Sequence, residues 1–287
     1  MLGLATSSQK KPAPVARTRS RRERSRSALA GGEVMGETVH FMQVIDVLGT
    51  PLAATTYEEL TNHCHDLARL GGTWAIDLTN TQIVTMRRHE RPFREATSGV
   101  DLFVPDGMPL IWTLNRRGAE LSDRVYGPTF MRLCLARSPA PFTHYLLGGS
   151  KECLAQLRAR LAAEQPEVQI VGSRNGYFSE REETEIVREI NSLSPDFIWI
   201  GLGTPKQQNW IHNHKAAVSR GVLLAVGFAF DVNAGTKPDA PGWMQRRGLT
   251  WVFRILSEPR RLLLRYLRYN TLFLFYLVKD RFAPRRA

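Results

Sequence analysis

The amino-acid sequence predicts an α/β fold in which helices flank a mostly parallel, Rossmann-like sheet and a basic amphipathic helical appendage follows at the C-terminus. Short apolar runs of strand length alternate with longer amphipathic stretches. Several of these runs end in glycine-bearing or polar turns. The 287 residues are 43% hydrophobic and 23% charged, which is typical of a globular protein with a sizeable core.

The predicted strands and helices alternate along the chain. The predicted strands are Val39–Val47, Thr73–Leu78, Leu102–Val104, His144–Leu147, Val168–Val171, Phe197–Ile200 and Val222–Val226. The predicted helices are Tyr57–Leu70, Lys151–Glu164, Ser179–Ser192 and Gln207–Val218. Strands that alternate with helices of this length indicate parallel crossovers, so we expect ligands to bind beyond the carboxyl ends of the strands.

Both ends of the chain are strongly basic, whereas the part between them is mildly acidic. Residues 1–30 carry eight Lys or Arg against one Glu, and residues 244–287 carry eleven against two acidic residues. We therefore divide the chain into a disordered basic tail (1–37), an α/β domain (38–243) and a membrane-associating helical appendage (244–287). The tail lacks a continuous apolar stretch, so export is not expected. Basic ends favour an anionic surface, either a membrane or a nucleic acid.

The appendage has apolar residues at helical spacing with arginines between them. Pro259 is expected to begin or kink a helix. The longest uninterrupted apolar run, Leu272–Val278, is much shorter than the ~20 residues that a membrane-spanning helix needs. Two compatible interpretations remain open: the helix lies in the membrane interface, or its apolar face covers the α/β domain.

The cysteines predict neither a disulfide framework nor a structural metal site. Cys64, Cys134 and Cys153 are odd in number, widely spaced and without a CxxC motif, so a reducing compartment fits best. The sequence also lacks an Asp-x-Asp pair of the kind that holds a divalent ion. We therefore expect no metal and no cofactor.

Candidate functional residues lie on the turns that follow predicted strands. Asp106, between Pro105 and Gly107, could take a proton from a substrate hydroxyl or could simply form the turn. Arg124, three residues before Gly127, could clamp a phosphate or form a surface ion pair. Other turns allow backbone amides to approach an anion, and their glycines and polar residues are Gly148, Gly203, Gln207 and Asp231.

Several segments, in this order and spacing, resemble the WecG/TagA/CpsF family of bacterial glycosyltransferases (glycosyltransferase family 26). They are VPDGMPLIW (104–112), DRVYGPTF (123–130), LLGGS (146–150), GYF (176–178), IGLGTPKQQNWI (200–211), VGFAFDVNAG (226–235) and APGWMQRRGLTWVFRILSEPRRLLLRYL (240–267). The resemblance extends from about Val39 to Asn270.

The resemblance implies an inverting glycosyltransferase. It would move a sugar (ManNAc, ManNAcA, Glc or a similar one) from a UDP-sugar to a saccharide linked to undecaprenyl diphosphate, in cell-surface or exopolysaccharide synthesis. The implied partners are the UDP-sugar donor, the polyprenyl-diphosphate-linked acceptor and an anionic membrane surface that contacts the C-terminal helices. The implied location is the cytoplasmic face of the bacterial inner membrane, as a peripheral protein. Assembly into a homo-oligomer stays open, and no nucleic acid is implied.

The resemblance also implies roles for individual residues. Asp106 is the expected base, and Asn80 matches a catalytic asparagine. The family's threonine position holds Leu78, so Thr79 or Thr81 is expected to replace it unless that role is absent. The residues expected to bind substrate are Arg124, Gly127, Gly148, Gly203, Gln207, Asp231, Arg254, Arg260, Arg261 and Arg265.

Three positions depart from the family pattern. Gln208 stands where the family has a glutamate, Asp239 where it has an arginine and Thr250 where it has a glutamate. The charge changes at 239 and 250 predict a lost ion pair or a different sugar.

Two other functions remain as alternatives. The basic termini would also suit a nucleic-acid-binding protein, although the aliphatic residues between the C-terminal arginines count against it. A dinucleotide-dependent oxidoreductase would use a similar sheet, but the sequence lacks the GxGxxG motif of that class.

Overall fold

The computed structural model describes residues 42–282. The predicted basic tail (1–37) therefore lies outside the described residues. The described residues form a single eight-stranded sheet covered by helices, which confirms the predicted fold class.

The sheet has the spatial order β1-β2-β4-β3-β8-β7-β5-β6, and all neighbouring strands are parallel except β1 and β2. The strands are β1 (Gln43–Val47), β2 (Thr50–Ala54), β3 (Thr73–Thr79), β4 (Leu102–Pro105), β5 (Thr143–Gly148), β6 (Gln169–Arg174), β7 (Phe197–Gly201) and β8 (Gly221–Ala225). The carboxyl ends of the parallel strands therefore share one edge of the sheet.

Helices connect the strands and extend beyond the last of them. They are α1 (Tyr57–Leu70), α2 (Thr81–His89), α3 (Arg91–Ala96), α4 (Met108–Asn115), α5 (Gly127–Ala136), α6 (Lys151–Glu164), α7 (Glu180–Leu193), α8 (Lys206–His214), α9 (Ala229–Ala234), α10 (Gly242–Arg246), α11 (Thr250–Ser257) and α12 (Pro259–Phe282). The helix predicted to begin or kink at Pro259 begins there.

The sequence prediction missed the β1–β2 hairpin and several short helices. Val39–Val47 was predicted as one strand, but within the described residues the strand begins at Gln43 and turns back through Leu48 and Gly49. Both turn residues have positive φ, as tight hairpin turns require. Helices α3, α4 and α5 each carry a proline in the first turn, where a missing N–H costs nothing. Such prolines resemble loop residues in a sequence pattern.

Two hydrophobic cores lie on opposite faces of the sheet. Trp199 of β7 belongs to the core beneath α1, α5, α6 and α9, whereas its neighbours Ile198 and Ile200 belong to the core beneath α7 and α8. This division follows from the alternation of side chains along a strand. With both faces covered, the polar ligand-binding residues are left to the edge where the strands end.

Helix α12 both packs on the body and exposes apolar side chains. Tyr269 and Phe273 are buried in cores that include residues of α2 and α4. Its other face leaves Leu264 79% and Phe282 80% exposed. Across residues 42–282, no helix combines the length and hydropathy needed to cross a bilayer. The structure therefore shows the docking role, and the membrane role stays a prediction.

The boundary predicted at residue 244 falls inside α10, between body and appendage. Polar contacts tie the appendage to α2 and the turn after it: Thr81 Oγ1 donates to Asn270 Oδ1 at 3.0 Å, and Tyr269 Oη donates to Glu90 at 2.7 Å. These contacts fix one side of α12 above the carboxyl ends of the strands.

Candidate active site

A cavity of about 1480 Å³ lies between the carboxyl ends of the strands and the C-terminal helices α11 and α12. It collects most of the residues that the sequence pointed to. Those that line it are Asn80, Asp106, Arg124, Gly203, Gln207, Asp231, Arg254, Arg261 and Arg265. Four others do not line it within the described chain: Thr79, Gly127, Gly148 and Arg260.

Asp106 lies at the turn between β4 and α4. Its backbone N–H donates to Thr79 O at 2.8 Å, which fixes the turn to the neighbouring strand β3. Its carboxylate accepts a hydrogen bond from the backbone N–H of Gly127 at the beginning of α5. Its Oδ1 is shielded from solvent and has no hydrogen-bond partner among residues 42–282. Since Asp106 is half-buried and lines the cavity, its incompletely bonded carboxylate can accept a proton from a ligand.

The surroundings of Asp106 favour its protonated form near neutral pH. Burial raises the pKa of Asp106 to about 7, and the negative charges of Asp239 and Asp77 act in the same direction. The nearby Arg124 guanidinium and the Gly127 N–H oppose this rise. A pKa near the working pH is what a general base requires, since the group can both take up and release a proton.

Arg124 lies beside Asp106 on the wall of the same cavity and is buried. Its Nη2 donates to Thr250 Oγ1 at 2.8 Å, and its guanidinium lies 4.4 Å from the ring centre of Tyr126. No carboxylate forms an ion pair with it among the described residues. The hydroxyl of Thr250, at a position where the family pattern has an acid, thus leaves the arginine charge available to a ligand.

Asn80 and Thr79 have different placements at the end of β3. Asn80 caps α2, with Oδ1 accepting from Ile83 N at 3.2 Å, and it lines the cavity. The Thr79 hydroxyl instead donates to the carboxylate of Asp77, and the whole residue is buried. The structure therefore does not bring Thr79 to the cavity, whereas Thr81 lines the cavity and donates to Asn270 of the appendage.

Gln208, which also departs from the family pattern, belongs to a buried hydrogen-bond network beneath the site. Gln208 Nε2 donates to Asp77 Oδ2 at 2.8 Å, and both side chains are fully buried. Burial raises the pKa of Asp77 while hydrogen bonds from Thr79 and Gln208 oppose the rise. This network joins β3 to the beginning of α8, so it holds the loop between β7 and α8 in place.

The loop between β7 and α8 presents backbone to the cavity. Gly203 has a φ of 76° and its N–H donates to Gln207 Oε1 at 3.1 Å. Gln207 is buried and lies close to Gly227 of the next turn. The glycine conformation and the side-chain contact together fix this loop at the rim of the cavity.

Gly148 and Gly127 act through close packing and not as cavity wall. A Cβ on Gly148 would meet backbone atoms of Gly201 at 2.5 Å, so only glycine lets the ends of β5 and β7 lie side by side. A Cβ on Gly127 would meet Asp106 Oδ2 and Val226 O at 3.4 Å. Both glycines therefore allow the close packing of the elements that carry the site.

The C-terminal helices supply the cationic wall of the cavity. Arg254 packs on the ring of Phe228, 3.2 Å from its centre, and the Nε atoms of Arg254 and Arg265 are buried without a hydrogen-bond partner in the described part of the chain. Burial lowers the pKa of Arg265, and the neighbouring charges of Arg261 and Arg254 add to this effect. Buried guanidinium groups with free donors suit an anion.

Arg260 and Asp231 complete the set of predicted residues. Arg260 is exposed on the outer side of the appendage. Asp231 is half-buried, and its carboxylate accepts from the hydroxyl of Thr236 and lies 3.8 Å from Lys237 Nζ. Lys237 also contacts Glu258 at 3.0 Å, which links the rim to the beginning of α12.

Sequence reasoning missed Tyr126, Tyr266 and the role of Asp239. Tyr126 and Tyr266 line the cavity, and Tyr126 Oη donates to Asp239 Oδ1 at 2.6 Å. The signal for Tyr126 was its place within the DRVYGPTF segment, although nothing there indicates its partner. Residues 42–282 contain no group of three or more His, Cys, Asp or Glu side chains that could hold a metal ion.

Comparison with known proteins identifies the family of the chain. The model of the "Glycosyl transferase WecG/TagA/CpsF family" matches residues 45–287. One curated relative is the N-acetylglucosaminyldiphosphoundecaprenol N-acetyl-beta-D-mannosaminyltransferase of Bacillus subtilis (strain 168), 27% identical over 187 residues, which are 65% of this chain and 72% of the relative.

The protein with the same description from Staphylococcus aureus (strain MW2) is 26% identical over 223 residues, 76% of this chain and 86% of the relative. Since the family model covers most of the chain, the glycosyltransferase interpretation replaces the nucleic-acid-binding and oxidoreductase alternatives. The chain belongs to the WecG/TagA/CpsF family of glycosyltransferases.

Proposed function

We propose that this glycosyltransferase moves N-acetylmannosamine from its UDP conjugate to an N-acetylglucosamine linked to a polyprenyl diphosphate, with inversion at the anomeric carbon. The observation that carries the proposal is Asp106, a half-buried residue that lines a cavity opposite a cationic wall and keeps one carboxylate oxygen without a hydrogen-bond partner among the described residues. The names of the two relatives describe transfer of this sugar to this kind of acceptor.

The reaction that fits this geometry is a single displacement. An acceptor hydroxyl attacks the anomeric carbon, its proton passes to Asp106, and the bond between that carbon and the diphosphate oxygen breaks on the opposite side. A base that is held rigidly by a backbone N–H and by the Thr79 carbonyl needs no reorganisation at the moment of attack.

The departing UDP carries negative charge, and the cavity offers positive charge to receive it. Arg124 from the body and Arg254 and Arg265 from the appendage line the same space. Guanidinium groups bind phosphate oxygens in pairs, and their effect is large where water is excluded. A diphosphate of the acceptor would use the same kind of contact, at Arg261 and Arg265 on the appendage side.

We also propose that the protein associates peripherally with the cytoplasmic face of the bacterial inner membrane. The appendage exposes Leu264, Leu267 and Phe275 beside Arg260 and Arg268. Apolar side chains next to arginines suit the boundary between headgroups and acyl chains of an anionic leaflet. An isoprenoid anchor lying in that leaflet would place its diphosphate near the cationic wall.

The test is UDP release from UDP-N-acetylmannosamine in the presence of a short-chain polyprenyl-diphosphate N-acetylglucosamine. We expect Asp106→Asn to lower kcat by about a thousandfold, the scale of general base catalysis. The thermal midpoint should not fall, because the substitution removes a buried charge. The matched control is Asp66→Asn on the outside of α1, where a surface pair with Arg69 contributes little.

Two results would contradict the proposal. Normal turnover by a folded Asp106→Asn protein would exclude Asp106 as the base. UDP release that is independent of the lipid-linked acceptor would show that the acceptor is of another kind. Screening UDP-glucose, UDP-N-acetylglucosamine and UDP-N-acetylmannosaminuronic acid in the same assay tests the identity of the donor sugar.

A further inference from the structure

We propose that Asp239 is a positioning residue for the transfer reaction: through Tyr126, it holds the Arg124 guanidinium and the first N–H of α5 against the carboxylate of Asp106. This inference rests on the proposed function, in which Asp106 is the base. It concerns how Asp106 and Arg124 are held at a fixed position relative to each other.

Asp239 is anchored by three donors. Its Oδ1 accepts from Tyr126 Oη at 2.6 Å and from Ala240 N at 2.7 Å, and its Oδ2 accepts from Gln245 Nε2 at 3.1 Å. The carboxylate is half-buried, and it is not part of the cavity wall formed by the described residues. Since it does not line the cavity, Asp239 has no contact with a ligand there, and its hydrogen bond to the tyrosine is the contact that reaches the site.

Tyr126 reaches the base by two routes. Its ring lies under the guanidinium of Arg124, with 4.4 Å from Cζ to the ring centre. Its backbone is the residue before α5, held by a hydrogen bond from its own N–H to Tyr57 Oη at 3.0 Å. The next residue is Gly127, whose N–H donates to Asp106. Fixing the Tyr126 hydroxyl therefore fixes both groups that stabilise the ionised base.

The charge of Asp239 also acts on the base directly. The groups that face Asp106 from the elements packed around it are Arg124, Asp77, Asp239, Tyr57, Tyr126 and Tyr266. Asp239 and Asp77 raise the pKa of Asp106, while Arg124 lowers it. The hydrogen bond from Tyr126 neutralises part of the Asp239 charge. Breaking the bond and removing the charge should therefore shift the protonation of Asp106 in opposite directions.

The experiment measures kcat/KM for UDP release between pH 5.5 and 9 in the wild type and four variants. The wild type should lose activity as the pH falls through about 7, because Asp106 must be ionised to accept a proton. Asp239→Asn keeps the shape and the acceptor but removes the charge, so its acidic limb should move to lower pH with the plateau nearly unchanged.

Tyr126→Phe keeps the ring under Arg124 but removes one of the three donors to the Asp239 carboxylate, so the acidic limb of the pH profile should move to higher pH. Asp239→Ala removes the anchor, and we expect its plateau to fall about two- to tenfold, the scale of one lost hydrogen bond. Recovery of the plateau by Asp239→Asn over Asp239→Ala would distinguish positioning from a general loss of charge. Asp66→Asn is the charge-matched control and should leave the profile unmoved.

A purely structural role would lower kcat/KM by the same factor at every pH. That outcome would overturn the positioning role. So would a pH profile of Asp239→Ala that has the same plateau value of kcat/KM and the same acidic limb as the wild type. Thermal unfolding of each variant confirms that folded protein is compared. Failure of the proposed function is separately visible, because Asp106→Asn would then remain active. If Asp106→Asn is inactive and the pH profiles of the Asp239 variants match the wild type, the positioning role is excluded and the proposed function stands.

Discussion

The two walls of the cavity differ in how their polar groups are paired. On the wall formed by the strand ends, Asp77 is bonded to Thr79 and Gln208, and Gln207 is bonded to Gly203 N. On the wall formed by the C-terminal helices, buried guanidinium nitrogens lack a hydrogen-bond partner among the described residues. Among the described residues, the first wall leaves two acceptor oxygens without a partner, Asp106 Oδ1 at the expected base and Gln208 Oε1 beneath the site, whereas the second wall leaves cationic N–H donors without one.

This difference separates two tasks. A general base needs a fixed distance and a fixed protonation equilibrium, which the hydrogen bonds of the strand-end wall supply. A site for a diphosphate needs donors that are free until the ligand arrives, although burying a charge without a partner is costly. Asp106 lies between the two, held by a backbone N–H on one oxygen and free on the other.

The sharpest test of the difference is Arg265→Ala. We expect kcat/KM to fall about a hundredfold, since a single charge-stabilising donor in a dry site contributes on this scale. The free energy of unfolding should stay the same or rise, because an incompletely bonded buried cation is removed. UDP release gives the first quantity, and chemical denaturation gives the second.

Arg188→Ala is the matched control, because Arg188 is an exposed arginine of α7 outside the described cavity wall. Arg265→Lys should recover only part of the activity, since an ammonium cannot bind two phosphate oxygens side by side. A large loss of stability in Arg265→Ala with unchanged kcat/KM would break the comparison. It would mean that the arginines of the cationic wall stabilise the fold and do not act in the reaction.

A smaller effect is expected at the outer side of the C-terminal helices. Leu264→Ser should weaken binding to vesicles that contain anionic phospholipid by about tenfold, the value of burying one leucine side chain. Turnover of a short-chain acceptor in detergent-free solution should be unaffected. Val44→Ser, an exposed apolar residue of β1, is the matched control and should bind vesicles as the wild type does.

Equal vesicle binding by Leu264→Ser and the wild type would assign the exposed face to something other than a membrane. Sedimentation equilibrium of the same variant would then show whether a second copy of the chain covers it. Either result sharpens the contrast between a wall that faces the reaction and a surface that faces away from it.

The sequence pattern was sufficient for the strands of the sheet other than β2 and for the polar residues that follow strands. Asp106, Asn80 and Gln207 all line the cavity because polar turns of parallel strands share one edge. The pattern failed for Thr79, and the reason is the alternation of side chains in β3. Thr79 lies on the same side as Asp77, to which it is bonded, whereas Leu78 and Asn80 contact the cavity.

Contacts between distant parts of the chain could not be predicted. Tyr126 and Asp239 are 113 residues apart, and Gln208 and Asp77 are 131 apart, so no local periodicity links them. The departures at 208, 239 and 250 were visible in the sequence, but their partners were not. Gln208 bonds Asp77 beneath the site, whereas Asp239 and Thr250 bond Tyr126 and Arg124 of the cavity wall. The predicted lost ion pair or different sugar stays a prediction.

The smallest expected effect tests how rigid the wall formed by the strand ends is. In Gly127→Ala, the added Cβ would lie 3.4 Å from Asp106 Oδ2 and from Val226 O, so the carboxylate must move by a few tenths of an ångström. Misplacement by about 1 Å costs about a hundredfold in rate, so we expect a two- to fivefold lower kcat/KM. Stability should be unchanged, since alanine suits a first helical turn at least as well as glycine. Gly99→Ala, with no atom within 4 Å of its Cβ, is the control.

A loss as large as that of Asp106→Asn would mean that the base tolerates no displacement at all. An unchanged rate would mean that the contact between α5 and Asp106 is looser than its geometry indicates, and the difference between the two walls would then be one of charge alone.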